Sequence, residues 1–336
     1  MLTPGLTLFR NAPYILATRA VAYPMAAGNT VILKASEMSP KTIWSMVSCF
    51  QQAGLPEGVL NMLVHDRDTA PAITTQLIEH PTIKKINFTG STAVGRIIAK
   101  LAGQYLKPVL LELGGKAPAI VWNDANLDEA ADACALGAFL HSGQICMSTE
   151  RILVHKDVRA EFEKKLAASV EKMFPTSGEA SILIASAGVV KNKALLQDAV
   201  GKGANVVTGD PAAQCPGEAS MRPVVLGGVT PEMDIYKTES FGPTVSIIEI
   251  ETEEEAIRIA NDTEYGLTSS VFTENLRVGL RMAKEIETGA VHINGMTVHD
   301  EATLPHGGTK DSGFGRFNSS AGLEEWIRTK NITFKY

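Results

Sequence analysis

The chain has 336 residues, 45% of them hydrophobic and 20% charged, with a formal net charge of −6 and a pI of about 5.7. That composition fits a globular protein of two domains of about 100–200 residues each. It holds no basic run for nucleic acid, no apolar run near the ~20 residues of a membrane helix and no secretory leader in MLTPGLTLFRN, so a cytoplasmic location is expected.

In chain order, residues 12–27 read as a helix and TVILK (Thr30–Lys34) as a buried strand. Ser39-Pro40 opens a second helix, because serine caps well and proline suits the first turn; Gly54 stops it. LNMLV (60–64) is a strand, 68–80 a helix, IKKINFTG (83–90) a strand running into a glycine turn, and 92–106 a helix. PVLLEL and APAIVW follow as strands. This alternation implies parallel strands with right-handed crossovers, a doubly wound α/β sheet. Beyond it, 126–139, 157–173, 253–262 and 277–287 read as helices, and RILVH, TVSIIEI, SSVFT and AVHIN as strands. Residues 201–218, rich in Gly, Ala and Pro, read as a surface loop.

The four cysteines, Cys49, Cys134, Cys146 and Cys215, form no C-x-x-C pair and no regular framework, which argues against disulfides and against a metal site. Cys49 and Cys134 sit in helix patterns and suit buried thiols. Cys146, in HSGQICMSTER, is left as a nucleophile or a core residue. His141 is five residues away, which is not a helical-neighbour spacing, and no Asp or Asn orienter for a Cys/His hydrolase is evident.

No G-x-G-x-x-G follows a strand and no P-loop is present. Two other segments sit at strand ends, where open α/β sheets bind ligands. Gly90-Ser91-Thr92-Ala93-Val94-Gly95 opens a helix whose N–H groups can receive phosphate, although by itself the segment reads more readily as a tight turn. In Lys34-Ala35-Ser36-Glu37, Lys34 and Glu37 can hold ribose oxygens, or form a solvated loop pair.

NAPYIL, LKASEMSP, GLPEGVLN, FTGSTAVGR, LELGGKAP, GQICMSTER, ESFGP, NDTEYGL and LPHGGTKDSGFGR occur in that order. Together they resemble the aldehyde dehydrogenase superfamily from Asn11 to the C-terminus, and INGMTVHDEATLPHGG resembles the branch acting on aromatic aldehydes such as salicylaldehyde and vanillin. The resemblance implies an aldehyde dehydrogenase-like α/β fold: two doubly wound parallel-sheet domains plus a small β oligomerisation element. The expected division is a partial NAD-binding domain at 1–113, a catalytic domain at 114–325 and a C-terminal oligomerisation strand at 326–336.

By the same resemblance Cys146 is the nucleophile and Glu112 the general base, and Asn11 with the Cys146 N–H forms the oxyanion site. Lys34, Ser36 and Glu37 lie at the adenosine ribose, and Gly90, Ser91 and Gly95 at the pyrophosphate. Gly114 lets backbone approach closely, and Glu239 and Phe241 hold the nicotinamide ribose and ring. Glu37 repels the 2′-phosphate of NADP, so NAD is the expected cofactor. Lys116 braces the site. His306 stands where many relatives carry an aromatic residue, and either hydrogen-bonds a phenolic hydroxyl of the substrate or serves packing. The expected partners are a small aldehyde and, through the C-terminal strand, further copies of the chain.

The pattern departs from the family in three places. Only ten residues precede Asn11, Phe9-Arg10 replaces the usual Pro-Trp, and Ala20 stands where many relatives have lysine, with Arg19 adjacent. A longer N-terminal segment is therefore expected to be missing, which weakens the expectation of an oligomer. It also sets a second reading beside the enzyme, a truncated homologue with impaired catalysis and a binding or interaction role.

Overall fold

The computed structural model describes residues 2–7 (backbone), 11–175, 177 and 179–336. Phe9 and Arg10, which depart from the family pattern, lie outside the described residues. The chain divides into two compact units. The first comprises Met1–Leu113, Asp300–Gly307 and Gly313–Tyr336; the second comprises Gly114–His299 and Gly308–Ser312.

In the first unit the six-stranded sheet runs Gly313–Phe314, Val109–Glu112, Ile86–Thr89, Leu2–Thr7, Thr30–Lys34, Leu60–Leu63. Its neighbours are parallel except Gly313–Phe314, which is antiparallel to Val109–Glu112. Successive residues of a strand face opposite sides. Val31 and Leu33 accordingly join one core with Leu16, Val21, Ile43 and Val47. Ile32 packs on the other, with Ile78, Phe88, Ile98 and Leu111. Helices Pro13–Ala26 and Pro40–Gln52 supply the first core, and Ala70–Glu79 and Thr92–Gln104 the second. The sheet is therefore covered on both faces, as a parallel sheet requires.

The second unit repeats the plan. Its seven strands run Val291–Ile293, Ser269–Phe272, Ala117–Val121, Thr149–His155, Thr244–Ile250, Val224–Gly227, Asn205–Thr208. All pair in parallel except the last, which is antiparallel. Ala119 and Val121 enter one core while Ile120 enters the other. No helix among the described residues is long and apolar enough to cross a membrane.

Five features differ from the sequence reading. Leu2–Thr7 is a strand, hydrogen-bonded between Thr30–Lys34 and Ile86–Thr89. Residues Ser186–Gly201 form a helix, and the stretch read as loop contains the edge strand Asn205–Thr208. Residues 300–307 and 313–336 belong to the first unit although 114–325 was the expected catalytic domain. The physical reason is the pairing of Gly313 with Glu112 and of Phe314 with Leu111, reinforced by the Lys85–Glu325 ion pair. Residues 327–336 carry neither helix nor strand, so the expected C-terminal strand is not formed within this chain, and Ile332, Phe334 and Tyr336 are exposed.

Candidate active site

Cys146 lies in the second unit, in the connection between helix Leu127–Phe139 and strand Thr149–His155. His141, Ser142 and Gly143 all have positive φ, at 51°, 57° and 70°. Three left-handed residues in a row reverse the chain sharply, and the two that are not glycine are strained. Gly143 is required here, because a Cβ would overlap the carbonyl oxygen of Gly242. Gln144 fixes the turn, donating to the His141 carbonyl at 3.1 Å and accepting from the Ile184 N–H at 2.9 Å. Thr297 Oγ donates to the Met147 carbonyl at 2.7 Å. The result is a partly exposed cysteine on a hydrogen-bonded turn. Gly115 passes beneath it so closely that a Cβ would overlap the Cys146 carbonyl oxygen.

A buried ion pair stands behind this turn. Lys116 Nζ lies 2.5 Å from Glu150 Oε2, with the two side chains 0% and 4% exposed. Glu150 also accepts the Ser240 N–H at 2.8–2.9 Å and the Phe241 N–H at 3.1 Å. Phe241 has φ of 49°, so Glu150 holds a strained backbone in place. Glu239, the preceding acid, accepts the Gly115 N–H at 2.9 Å. Burial, then the charge of Glu150, pushes its carboxyl up to about 7. Burial lowers the Lys116 ammonium against the opposing pull of Glu150. Arg151, fully buried, donates to the carbonyls of Lys116, Ile259, Ala260 and Asp262. It thereby caps helix Glu253–Asn261, where a cation meets the negative end of the helix dipole.

In the first unit Glu112 ends strand Val109–Glu112 and is 0% exposed. Its carboxylate is paired with Arg19 and accepts from His306 Nε2 at 2.7 Å. Arg19 also bonds Asp300 at 2.8 Å, and His306 Nδ1 lies 3.6 Å from the same Asp300. Both ring nitrogens of His306 thus face carboxylates, Glu112 and Asp300. Asn11 is half-buried just ahead of helix Pro13–Ala26.

The residues expected to hold a dinucleotide also gather in the first unit. Lys34 ends strand Thr30–Lys34 and Ser36 and Glu37 follow it, and Gly90 and Ser91 follow Ile86–Thr89; the strands are parallel, so both groups lie at the carboxyl edge of one sheet. Lys34 is buried, and desolvation lowers its ammonium to about 8 against the opposing charge of Glu37. Ser91 is exposed at the start of helix Thr92–Gln104. At Gly95 a Cβ would overlap Leu113, and at Gly90 it would overlap the Phe88 ring. A buried cation, a helix N-terminus and two closely packed glycines at one sheet edge fit a phosphate-bearing nucleotide. Among the described residues no group of three or more His, Cys, Asp or Glu could hold a metal ion.

Sequence reasoning missed Glu150, Arg151, Arg19 and Asp300 as parts of these networks. The Glu-Arg pair beside GQICMST was visible as buried-strand charge, since strand Thr149–His155 is otherwise apolar or small at its centre. Of the helix cysteines, Cys134 is buried and its thiol is pushed upward by desolvation. Cys49 is exposed, contrary to expectation, because it falls on the outer face of helix Pro40–Gln52.

Comparison with known proteins gives the context for this geometry. The sequence pattern of the aldehyde dehydrogenase family matches residues 10–332. The chain is 45% identical over 331 residues to a vanillin dehydrogenase of Pseudomonas fluorescens, covering 97% of this chain and 68% of that relative. It is 44% identical, with the same coverage, to a salicylaldehyde dehydrogenase of Pseudomonas sp. strain C18. The crystal structure of a salicylaldehyde dehydrogenase from Pseudomonas putida G7, complexed with salicylaldehyde, superposes with a TM-score of 0.91 at 43% identity, covering 99% of this chain and 71% of that one. Nine ordered motifs, two doubly wound units and a family match spanning nearly the whole chain lead to one conclusion: the chain belongs to the aldehyde dehydrogenase family.

Proposed function

We propose that the chain oxidises an aromatic aldehyde to its carboxylic acid with NAD, using Cys146 as nucleophile and Glu112 as general base. Oxidation of an aldehyde with NAD(P) follows from family membership. The aromatic preference rests on the names of the similar proteins, vanillin and salicylaldehyde dehydrogenases at 43–45% identity. The observation that carries the reading is the partly exposed Cys146 on a strained turn, with Gly115 held against its backbone.

The Cys146 thiolate attacks the aldehyde carbon and forms a C–S bond. The developing oxyanion takes hydrogen bonds from the Asn11 amide and the Cys146 N–H, each worth about 10²–10³ in rate. The nicotinamide, when bound, supplies the hydride acceptor. Glu239 and Phe241 orient it, and Lys34, Ser36, Glu37, Gly90, Ser91 and Gly95 hold the rest of the nucleotide. The thioester on Cys146 is then hydrolysed. Glu112 takes a proton from water, the water oxygen adds to the carbonyl, the C–S bond breaks and the Cys146 thiolate is restored. Glu37, half-buried beside Lys34, disfavours a 2′-phosphate and so supports NAD over NADP.

Self-association through residues 326–336 belongs to the same reading, supported by the exposed Ile332, Phe334 and Tyr336. The enzymatic test is NADH formation from benzaldehyde, vanillin and salicylaldehyde. Turnover in wild type that vanishes in Cys146→Ala supports the reading. A folded wild type that turns over none of the three with NAD or NADP refutes it.

A further inference from the structure

Glu112 belongs to a closed ring of four ionisable side chains, all in the first unit. Arg19 pairs with Glu112 through one terminal nitrogen and with Asp300 through the other, the latter at 2.8 Å. His306 closes the ring, with Nε2 2.7 Å from Glu112 and Nδ1 3.6 Å from Asp300. A carboxylate only accepts, so His306 Nε2 carries the proton in this bond. Asn318 secures Asp300, donating to its carboxylate at 2.8 Å and to the Glu301 carbonyl at 3.2 Å. The His306 backbone is bridged to Phe317 in both directions, at 2.8 and 2.7 Å, and the Phe317 ring lies 5.0 Å from the Arg19 guanidinium.

Such a ring is not explained by stability. A buried ionic cluster is often no more stable than apolar residues of the same volume, because each charge loses its hydration. Here Glu112, Arg19 and His306 are 0%, 8% and 8% exposed. The chain brings together residues 281 positions apart for the Arg19–Asp300 bond and 194 apart for the Glu112–His306 bond. What the ring accomplishes is geometric. Two different donors, one on each oxygen, fix the plane of the Glu112 carboxylate, and Asp300 restrains Arg19.

We propose that Arg19, restrained by Asp300, and His306 are positioning residues that orient the Glu112 carboxylate for hydrolysis of the Cys146 thioester. This rests on the reading of Glu112 as general base. A base that must meet a water at one angle loses about 10²-fold in rate when displaced by about 1 Å. The attack of Cys146 on its substrate does not use Glu112 and is unaffected. Removing a ring member therefore slows deacylation and leaves acylation intact.

Hydrolysis of p-nitrophenyl acetate without cofactor separates the two steps. Nitrophenolate release in the first turnover reads acylation of Cys146, and the steady state reads deacylation. In Arg19→Met and His306→Leu the first-turnover rate stays within about two-fold of wild type, while the steady state falls about 10- to 100-fold. Intact-mass spectra then show the acetyl group retained on Cys146. His306→Gln, whose amide still donates to Glu112, retains more of the steady-state rate than His306→Leu. A purely structural role would lower both phases together with the folded fraction, measured by circular dichroism. Folded Arg19→Met and His306→Leu proteins with wild-type steady states overturn the proposal, as does an equal loss of both phases. Glu112→Gln is the control. If it deacylates like wild type, the base assignment itself falls; if it is slow while the ring variants are not, only the positioning role falls.

Discussion

Replacing Glu150 with glutamine tests whether the second unit is organised around the Lys116–Glu150 pair. The substitution keeps the shape and one acceptor oxygen but removes the charge. Lys116 is then left 0% exposed beside a neutral amide. Breaking a buried ion pair from one side costs about 3–5 kcal/mol. Lys116 can limit this by losing its proton, which at pH 7 costs an ordinary lysine about 4–5 kcal/mol, so both estimates agree. The Ser240 and Phe241 N–H groups also lose a charged acceptor, which places the effect toward the upper end. For a unit of this size the melting temperature should fall by about 6–20 °C. The sign of the pH dependence follows. In the variant the folded-state pKa of Lys116 is depressed further below its unfolded value, so the unfolded state binds more protons across that window. Stability lost at pH 7 is therefore regained as pH rises toward the unfolded lysine pKa. The double variant Glu150→Gln with Lys116→Met removes both charges, keeps an acceptor for the Ser240 and Phe241 N–H groups, and should be more stable than Glu150→Gln alone. Thermal melts at pH 7 and pH 9 for the three proteins measure this. A Glu150→Gln protein as stable as wild type, or a double variant less stable than the single one, refutes the reasoning.

Three further outcomes are expected. In Gly115→Ala the new methyl displaces the Cys146 carbonyl, so kcat should fall about 10²-fold while the protein remains folded; near-normal kcat would mean the close approach is not functional. Because the Glu239 carboxyl is pushed up to about 7, it is neutral below that pH and ionised above it. KM for NAD should therefore rise as pH falls below about 7, and this dependence should vanish in Glu239→Gln; an unchanged profile in the variant assigns the titration elsewhere. Glu37→Gln should gain activity with NADP, read as the ratio of kcat/KM for the two cofactors, and a wild-type preference for NADP would contradict the charge argument.

The sheets were legible where pattern and pairing agree. TVILK and TVSIIEI lie in parallel sheets covered on both faces, so their apolar runs announce them. Leu2–Thr7 was not legible, because Pro4 and Gly5 are poor strand residues and only its position between two partner strands makes it one. Asn205–Thr208 was hidden for a related reason. It is an edge strand with half of its residues exposed, and it lies in a stretch whose Gly and Pro content signals loop. At the candidate site the motifs marked Cys146, Glu112 and Glu239, but not the groups that hold them. Arg19 and Asp300 reach Glu112 only through tertiary contacts, and no local spacing encodes a bond across 281 residues. His306 shows the limit most plainly. Its sequence position left a substrate contact and packing both open, and only the fold shows its ring against Glu112 and Asp300.

The central claim is that Cys146 carries the acyl group and Glu112 removes it. Glu112→Gln, mixed with NAD and benzaldehyde and quenched in acid, should give a mass increased by one benzoyl group, located on the peptide containing Cys146, with about one NADH formed per chain before turnover stalls. An unmodified mass together with sustained NADH production would contradict the claim.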